Sequence, residues 1–263
     1  MSVSRKEHQQ DQELCLVRLI FSRHGETVYT GKYPDLTPKG EKTIKATAQT
    51  VRKYIAGDVI SVMCTPTPRT RATVDILCRE LRISKHVDTC TGLAPMQIYD
   101  MPRCQAGFDK LRMRTSTANP YPVETAYLLQ KGIFADHSAI ESKASVDMRS
   151  LIWLKRFVDW CIDARRRAQD DEDHPLMGSS RPKATVIIGH HFETITPFVV
   201  GMHPHRFDLE PVRHGEVQVI DVSTGGNDNF RARSIFRGES IVSRFCKQKH
   251  QFEDHHVVPP VVH

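Results

Sequence analysis

Three short aliphatic runs constrain this chain most: Leu16-Val17-Arg18-Leu19-Ile20-Phe21, Val59 to Met63, and Ala184 to Gly189. Longer segments of helical period lie between them. Strand-like runs alternating with helical ones predict an α/β sheet covered by helices rather than a sandwich or a bundle. The third run is continuously β-branched and aliphatic, which suits a strand buried on both faces. With 263 residues, 39% of them hydrophobic, the chain can build one sizeable core. The expected layout is a flexible segment over 1–13, a single domain over 14–240 and a tail over 241–263.

The helical signals are clearest early. Thr37 can cap a helix, Pro38 suits its first turn, Ile44, Ala48, Val51 and Ile55 form one apolar stripe, and Gly57 stops it. Arg69 to Leu81 reads as a second helix with Ala72, Ile76 and Leu77 inward. Met148 to Ala168 reads as a third, with Trp153 and Trp160 assigned to the core and Arg165-Arg166-Arg167 near its C-terminus, where the helix dipole favours cations. A solvated linker, Gln169 to Lys183, follows. Between about 90 and 122 no period is sustained, and an irregular stretch of that length predicts a lid or substrate loop. Its Arg103, Lys110, Arg112 and Arg114 offer a second anion contact or a solvated face. Val217, Val219 and Ile220 mark a strand that Ala232 to Phe236 can pair with, and the last 25 or so residues, polar and His-rich, read as poorly ordered or draped on the surface.

Composition excludes several classes of function. No stretch approaches the roughly 20 uncharged apolar residues of a membrane span, and Met1 to Glu13 has no apolar signal core. Seven cysteines without a C-x-x-C pair, several in apolar segments, read as reduced, buried thiols of a cytoplasmic protein. The net charge of +6 favours anionic partners, but no basic patch interleaved with aromatics marks a nucleic-acid surface. His203-Pro204-His205 reads as a turn and His190-His191 lacks carboxylate or thiol companions at useful spacing, so no metal is expected.

Chemistry concentrates where the three runs end. The first leads into Arg23-His24-Gly25-Glu26-Thr27, the second into Thr65-Pro66 with Arg69 and Thr73, the third into His190. Ligands of open α/β sheets bind outside the carboxyl ends of the strands, so these ends can share one pocket. Two guanidinium forks beside two imidazoles suit a tetrahedral dianion, above all a phosphoryl group. One imidazole can attack it while the other stabilises its oxygens, with no metal or cofactor. Arg-His-Gly also recurs at Arg213-His214-Gly215, but there it follows Glu210-Pro211-Val212 instead of a buried strand and is read as chance.

Taken together, Arg23-His24-Gly25-Glu26-Thr27, Leu36-Thr37-Pro38-Lys39-Gly40 and Thr65-Pro66-x-x-Arg69-Thr70-x-x-Thr73 resemble the larger branch, branch 1, of the histidine phosphatase superfamily, also called phosphoglycerate-mutase-like. The likeness covers Leu16 to Arg79 and resumes from Thr185 to Val222. It implies a three-layer α/β/α sandwich around a mostly parallel sheet, with His24 forming a phosphohistidine and Arg23, Arg69 and His190 holding phosphoryl oxygens. The departures matter too. Thr30 stands where many relatives place a phosphate-binding Asn, His191 replaces a Gly, and Leu93 is followed by Ala94 and Pro95 where relatives carry a glutamate proton donor. Asp100 is the expected substitute, against a plainer role capping a turn before Pro102, with Glu26 as a fallback. Without a good acid, such a site still cleaves aryl phosphates or anhydrides while failing on alkyl esters, because acid assistance matters less as the leaving group becomes more acidic. The reading is therefore a metal-independent phosphatase of a small molecule or phosphoprotein, with mutase activity disfavoured because the glutamate motif of mutases is absent. The alternative is a catalytically silent binding or scaffold subunit. Oligomeric state is left open.

Overall fold

The computed structural model describes residues 15–28, 35–167, 184–204, 211–224 and 230–258. Thr30, His205 and the linker over 169–183 therefore lie outside the described residues. Strand β1 (Cys15–Arg23) is followed by α1 (Pro38–Tyr54), β2 (Asp58–Cys64), α2 (Pro68–Leu81) and β3 (Val87–Thr89). Next come α3 (Met101–Arg112), α4 (Pro122–Leu128), α5 (Lys143–Arg167), β4 (Ala184–His190) and α6 (Phe192–Met202). The chain then forms β5 (Val217–Thr224), β6 (Phe230–Phe236), β7 (Glu239–Cys246) and β8 (Gln251–Val258).

All eight described strands join one sheet, in the order β3-β2-β4-β1-β5-β6-β7-β8. Helices α1 and α2 cover one face, where Ile44, Val51, Val74 and Leu77 pack on Ile20, Val62 and Ile187. Helices α5 and α6 cover the other, where Leu154, Val158, Ile195 and Phe198 pack on Leu19, Phe21, Val186 and Ile188. The three-layer expectation holds. β4 lies between β2 and β1 and is buried along its whole length, as its unbroken aliphatic run requires. Thr37 caps α1 by accepting from the Gly40 amide at 2.9 Å, and Pro38 opens the helix.

Four expectations need correction. The sheet is mixed rather than mostly parallel: β1, β2, β3 and β4 pair parallel, while β5 to β8 pair antiparallel from β1 outward. The residues from Ile241 are not a loose tail; they supply most of β7 and all of β8, bringing Phe245 and Phe252 into the core beside α6. A two-residue turn, Arg237 and Gly238, both at positive φ, joins β6 to β7 as hairpins favour. Nor is the 90–122 stretch without regular structure, since it forms α3 and leads into α4. These helices build a small third core from Cys104, Ala126, Tyr127, Phe134, Ile140 and Phe192. Cys104 is the one fully buried side chain of α3, too little to leave a visible period. Finally, Trp153 packs edge-on to Phe21 as a core residue does, but Trp160 is 51% exposed.

Candidate functional site

The strand ends line up by register. Arg23 of β1 pairs with His190 of β4, and Cys64 of β2 pairs with Gly189, so three parallel strands end level. The His24 amide donates to the His190 carbonyl at 3.0 Å and the Thr65 amide to the Gly189 carbonyl at 3.1 Å. At Gly189 a Cβ would collide with Val74 of α2, so glycine lets that helix close on the strand ends. The loop after β1 is held equally closely. A Cβ on Gly25 would sit 2.8 Å from the Gly40 carbonyl oxygen, and the Gly25 amide donates to Thr73 Oγ1 of α2 at 3.3 Å.

Hydrogen bonds fix each imidazole's proton, because arginine only donates and a carbonyl only accepts. His24 donates Nδ1–H to the Gly25 carbonyl at 2.7 Å, which leaves Nε2 with its lone pair and no partner among the described residues. His190 donates Nδ1–H to the His191 carbonyl at 2.8 Å, and its Nε2 is buried without a partner. His191 accepts at Nδ1 from Arg69, at 3.2 Å from a terminal nitrogen, and so donates Nε2–H to Thr65 Oγ1 at 2.9 Å. Its ring lies 5.1 Å from that of His24. Arg69, the expected phosphate holder, thus stands beside the two rings.

Arg23 is enclosed. Its terminal nitrogens donate to the Val212 carbonyl, to a carboxylate oxygen of Glu124 on α4, and to Nε2 of His214 at 3.0 Å. Tyr121 and Phe192 lie 5.6 and 5.2 Å from the guanidinium. Its Nε is buried with no partner. His214, whose Nε2 accepts from Arg23, has its ring 5.6 Å from His24. The second Arg-His-Gly triplet is therefore part of the cluster rather than a chance repeat. The reason is topological. β5 is antiparallel to β1, with Ser22 opposite Val217, so the start of β5 lies where β1 ends. Gly215, at a φ of +72° with its amide donating to the Arg23 carbonyl at 3.1 Å, makes the turn that delivers His214. The triplet is visible in the sequence, but its strand, β5, follows it instead of preceding it.

Burial and positive neighbours keep these rings neutral. Burial first, then Arg69 and Arg23, holds His24 well below the usual histidine range, and the same causes act on His191. Burial pushes His190 down to about 3, and burial with Arg23 pushes His214 down to about 2. The cluster is thus electropositive through its guanidiniums, with two buried polar atoms, Arg23 Nε and His190 Nε2, that have no hydrogen-bond partner among the described residues. Such atoms call for a partner.

The remaining expected residues stand apart. Asp100 is the N-cap of α3, accepting from the Arg103 amide at 3.1 Å, which is the plainer of its two readings. Glu26 lies at the surface, 3.2 Å from the Lys39 ammonium. His203 is a buried structural residue, bonded to Glu239 at 3.0 Å and Ser234 at 2.8 Å. Ala94 and Pro95 bring no acid to the loop after Leu93, but the Met96 amide donates to a buried carboxylate that sequence reasoning missed, Glu193, at 3.4 Å. Among the described residues no group of three or more His, Cys, Asp or Glu side chains is arranged to hold a metal ion, and no helix is long and apolar enough to cross a membrane.

Residues 19–101 match the model of the histidine phosphatase superfamily, branch 1, which bears out the resemblance carried by the motifs of β1, α1 and α2. Solved structures of this class share the fold. A mycobacterial glucosyl-3-phosphoglycerate phosphatase is 16% identical with a TM-score of 0.54, covering 83% of this chain and 97% of its own. A protein described as mycobacterial hydrolase 2 is 17% identical with a TM-score of 0.55, covering 82% and 88%. Phosphoglycerate mutase from Bacillus anthracis str. Sterne is 15% identical with a TM-score of 0.50, covering 78% and 87%. No curated protein matches the chain.

Proposed function

We propose that the chain is a metal-independent phosphatase that works through a phosphohistidine on Nε2 of His24. The observation that carries the reading is the tautomer of His24. With Nδ1–H bound to the Gly25 carbonyl, the lone pair sits on Nε2, in a cluster whose Arg69 and Arg23 lie close enough to depress the ring's proton affinity. Attack by Nε2 forms the N–P bond as the ester P–O bond breaks, and water then cleaves the N–P bond to release phosphate. Arg69 and the Nε of Arg23 would stabilise the phosphoryl oxygens, a role worth roughly 10³ to 10⁵ in rate when a positioned arginine fills it. His190 Nε2 carries a lone pair, so it binds a phosphoryl oxygen by accepting the proton of a monoanion or after protonation beside a dianion. His214, with its Nδ1–H undirected at Arg23, is a further donor to the same group.

The substrate is a phosphorylated small molecule or phosphoprotein. The phosphoglycerate in the names of the fold neighbours makes phosphoglycerate derivatives the first alkyl esters to try. The proposed setting is a reducing cytoplasm, where seven cysteines in no disulfide, five of them buried, persist. Purified protein is expected to hydrolyse 4-nitrophenyl phosphate in excess chelator and, after rapid quenching, to hold an acid-labile phosphoryl group that His24→Asn removes. Hydrolysis that survives His24→Asn would end the proposal.

One observation favours the silent alternative, a binding subunit: the terminal nitrogens of Arg23 already serve Glu124, Val212 and His214. On that reading the protein binds phosphate yet traps no phosphohistidine from the aryl ester.

A further inference from the structure

We propose that Glu193, in the first turn of α6, is the proton donor of this site, replacing an acid absent from the loop after Leu93. The inference rests on the phosphohistidine reading above and names a catalytic residue for it. Three buried carboxylates occur among the described residues: Glu124, Glu141 and Glu193. Glu124 is committed to Arg23, and Glu141 to Arg149 at 3.1 Å. Glu193 is 4% exposed and pairs with no cation among the described residues. A buried, unpaired carboxyl is costly to keep unless it has a use.

Its position supplies one. Glu193 lies three residues after His190 and two after His191, whose ring stands against His24 and Arg69. Its carboxylate accepts from the Met96 amide at 3.4 Å, so the acid reaches the loop Ala94-Pro95-Met96 from the helix side instead of being carried by it. His191, the N-cap of the same helix, accepts from Arg69 at 3.2 Å, so the turn that carries Glu193 begins at the cluster. Burial pushes the proton affinity of Glu193 up and Arg69 and Arg23 oppose that, so the protonated donor is favoured while the ionised product stays tolerable. Asp100 offers none of this, because its side chain is spent on the Arg103 amide.

The balance of the step is simple. As His24 Nε2 attacks phosphorus, the ester oxygen leaves with the Glu193 proton. Glutamate then takes a proton from the water that cleaves the N–P bond, and both groups return to their starting states. Glu193→Gln keeps the shape and an acceptor for Met96 but cannot donate in this way. Expected is a loss of roughly 10² to 10³ in kcat/KM on an alkyl ester such as a phosphoglycerate, with less than about tenfold on 4-nitrophenyl phosphate. The dependence of rate on leaving-group acidity should steepen accordingly. Glu193→Asp, which retains a carboxyl, should recover part of the alkyl activity, and Asp100→Asn should leave the alkyl-to-aryl ratio within about twofold of wild type. Equal losses on both esters, or no loss on the alkyl ester, would overturn the assignment and leave the nucleophile in place. Absence of any trapped phosphohistidine in the wild-type protein would instead remove the phosphatase reading, and this step with it.

Discussion

The two halves of the sheet meet at β1 and spend their strand ends differently. On the parallel side, β1, β2 and β4 run in one direction, so the residues beyond Arg23, Cys64 and Gly189 emerge level, and three separate segments bring His24, Arg69 at the start of α2 and the His190-His191 pair together. On the antiparallel side, β5 to β8 alternate in direction and are joined in sequence, which scatters their ends to both edges of the sheet. Among the described residues of this half, it is the approach to β5, whose start lies beside the end of β1, that adds a ring to the cluster. Both halves contribute buried apolar side chains to the core. In the antiparallel part Phe230 stacks on Phe245 at 4.7 Å and Phe252 meets Phe245 edge-on at 5.1 Å. Strand direction, and not hydrophobicity, decides which half can host a site.

That contrast can be broken by substitutions that should harm one half's role and spare the other's. His24→Asn should show the largest effect, a loss on the order of 10⁴-fold or more in aryl phosphatase activity with an unchanged denaturation midpoint, as expected for removal of a nucleophile. In the opposite half, Phe245→Ala should cost about 4 kcal/mol in chemical denaturation, because it empties a fully buried site between two rings, while the folded fraction keeps its kcat.

Acidification should act chiefly through the site. His24, His190, His191 and His214 are neutral when folded, yet below about pH 6.5 they take up protons in the unfolded chain. The stability they contribute is complete above that pH and is lost as the pH falls toward their depressed folded values. Between pH 7 and 5.5 the loss should be about 1 kcal/mol for each ring that stays neutral. Glu193 runs the other way, since a raised carboxyl favours the folded state at low pH and withdraws that support as the pH climbs. His214→Asn should therefore flatten the acid limb of a stability curve by about one ring's share; an unchanged limb would mean that the ring titrates normally. Smallest of all, Thr37→Ala should cost about 1 kcal/mol in thermal or chemical denaturation by freeing the Gly40 amide, with little change in kcat.

Much of the parallel half was legible in the chain. Period-3.6 stripes and a Thr-Pro cap announced α1, and the unbroken aliphatic run announced β4, because burial on both faces leaves no room for polar residues. The antiparallel half was half-legible: β5 and β6 were expected, but β7 intersperses its buried Ile241 and Phe245 with serines and Arg244, and β8 buries only Phe252 among polar and exposed residues, so no clean strand period marks either. The stretch holding α3 and α4 failed for a related reason, since its few inward side chains pack on Phe192 of a distant helix rather than on a stripe of their own.

By itself, then, the sequence determined the layered α/β plan and the residue types at the three strand ends, because period and β-branching are local properties. What only the tertiary structure decided was which distant groups share those ends: His214 through an antiparallel start, Glu124 against Arg23, and Glu193 against the loop after Leu93. Those meetings depend on strand direction and helix placement, and no spacing along the chain encodes them.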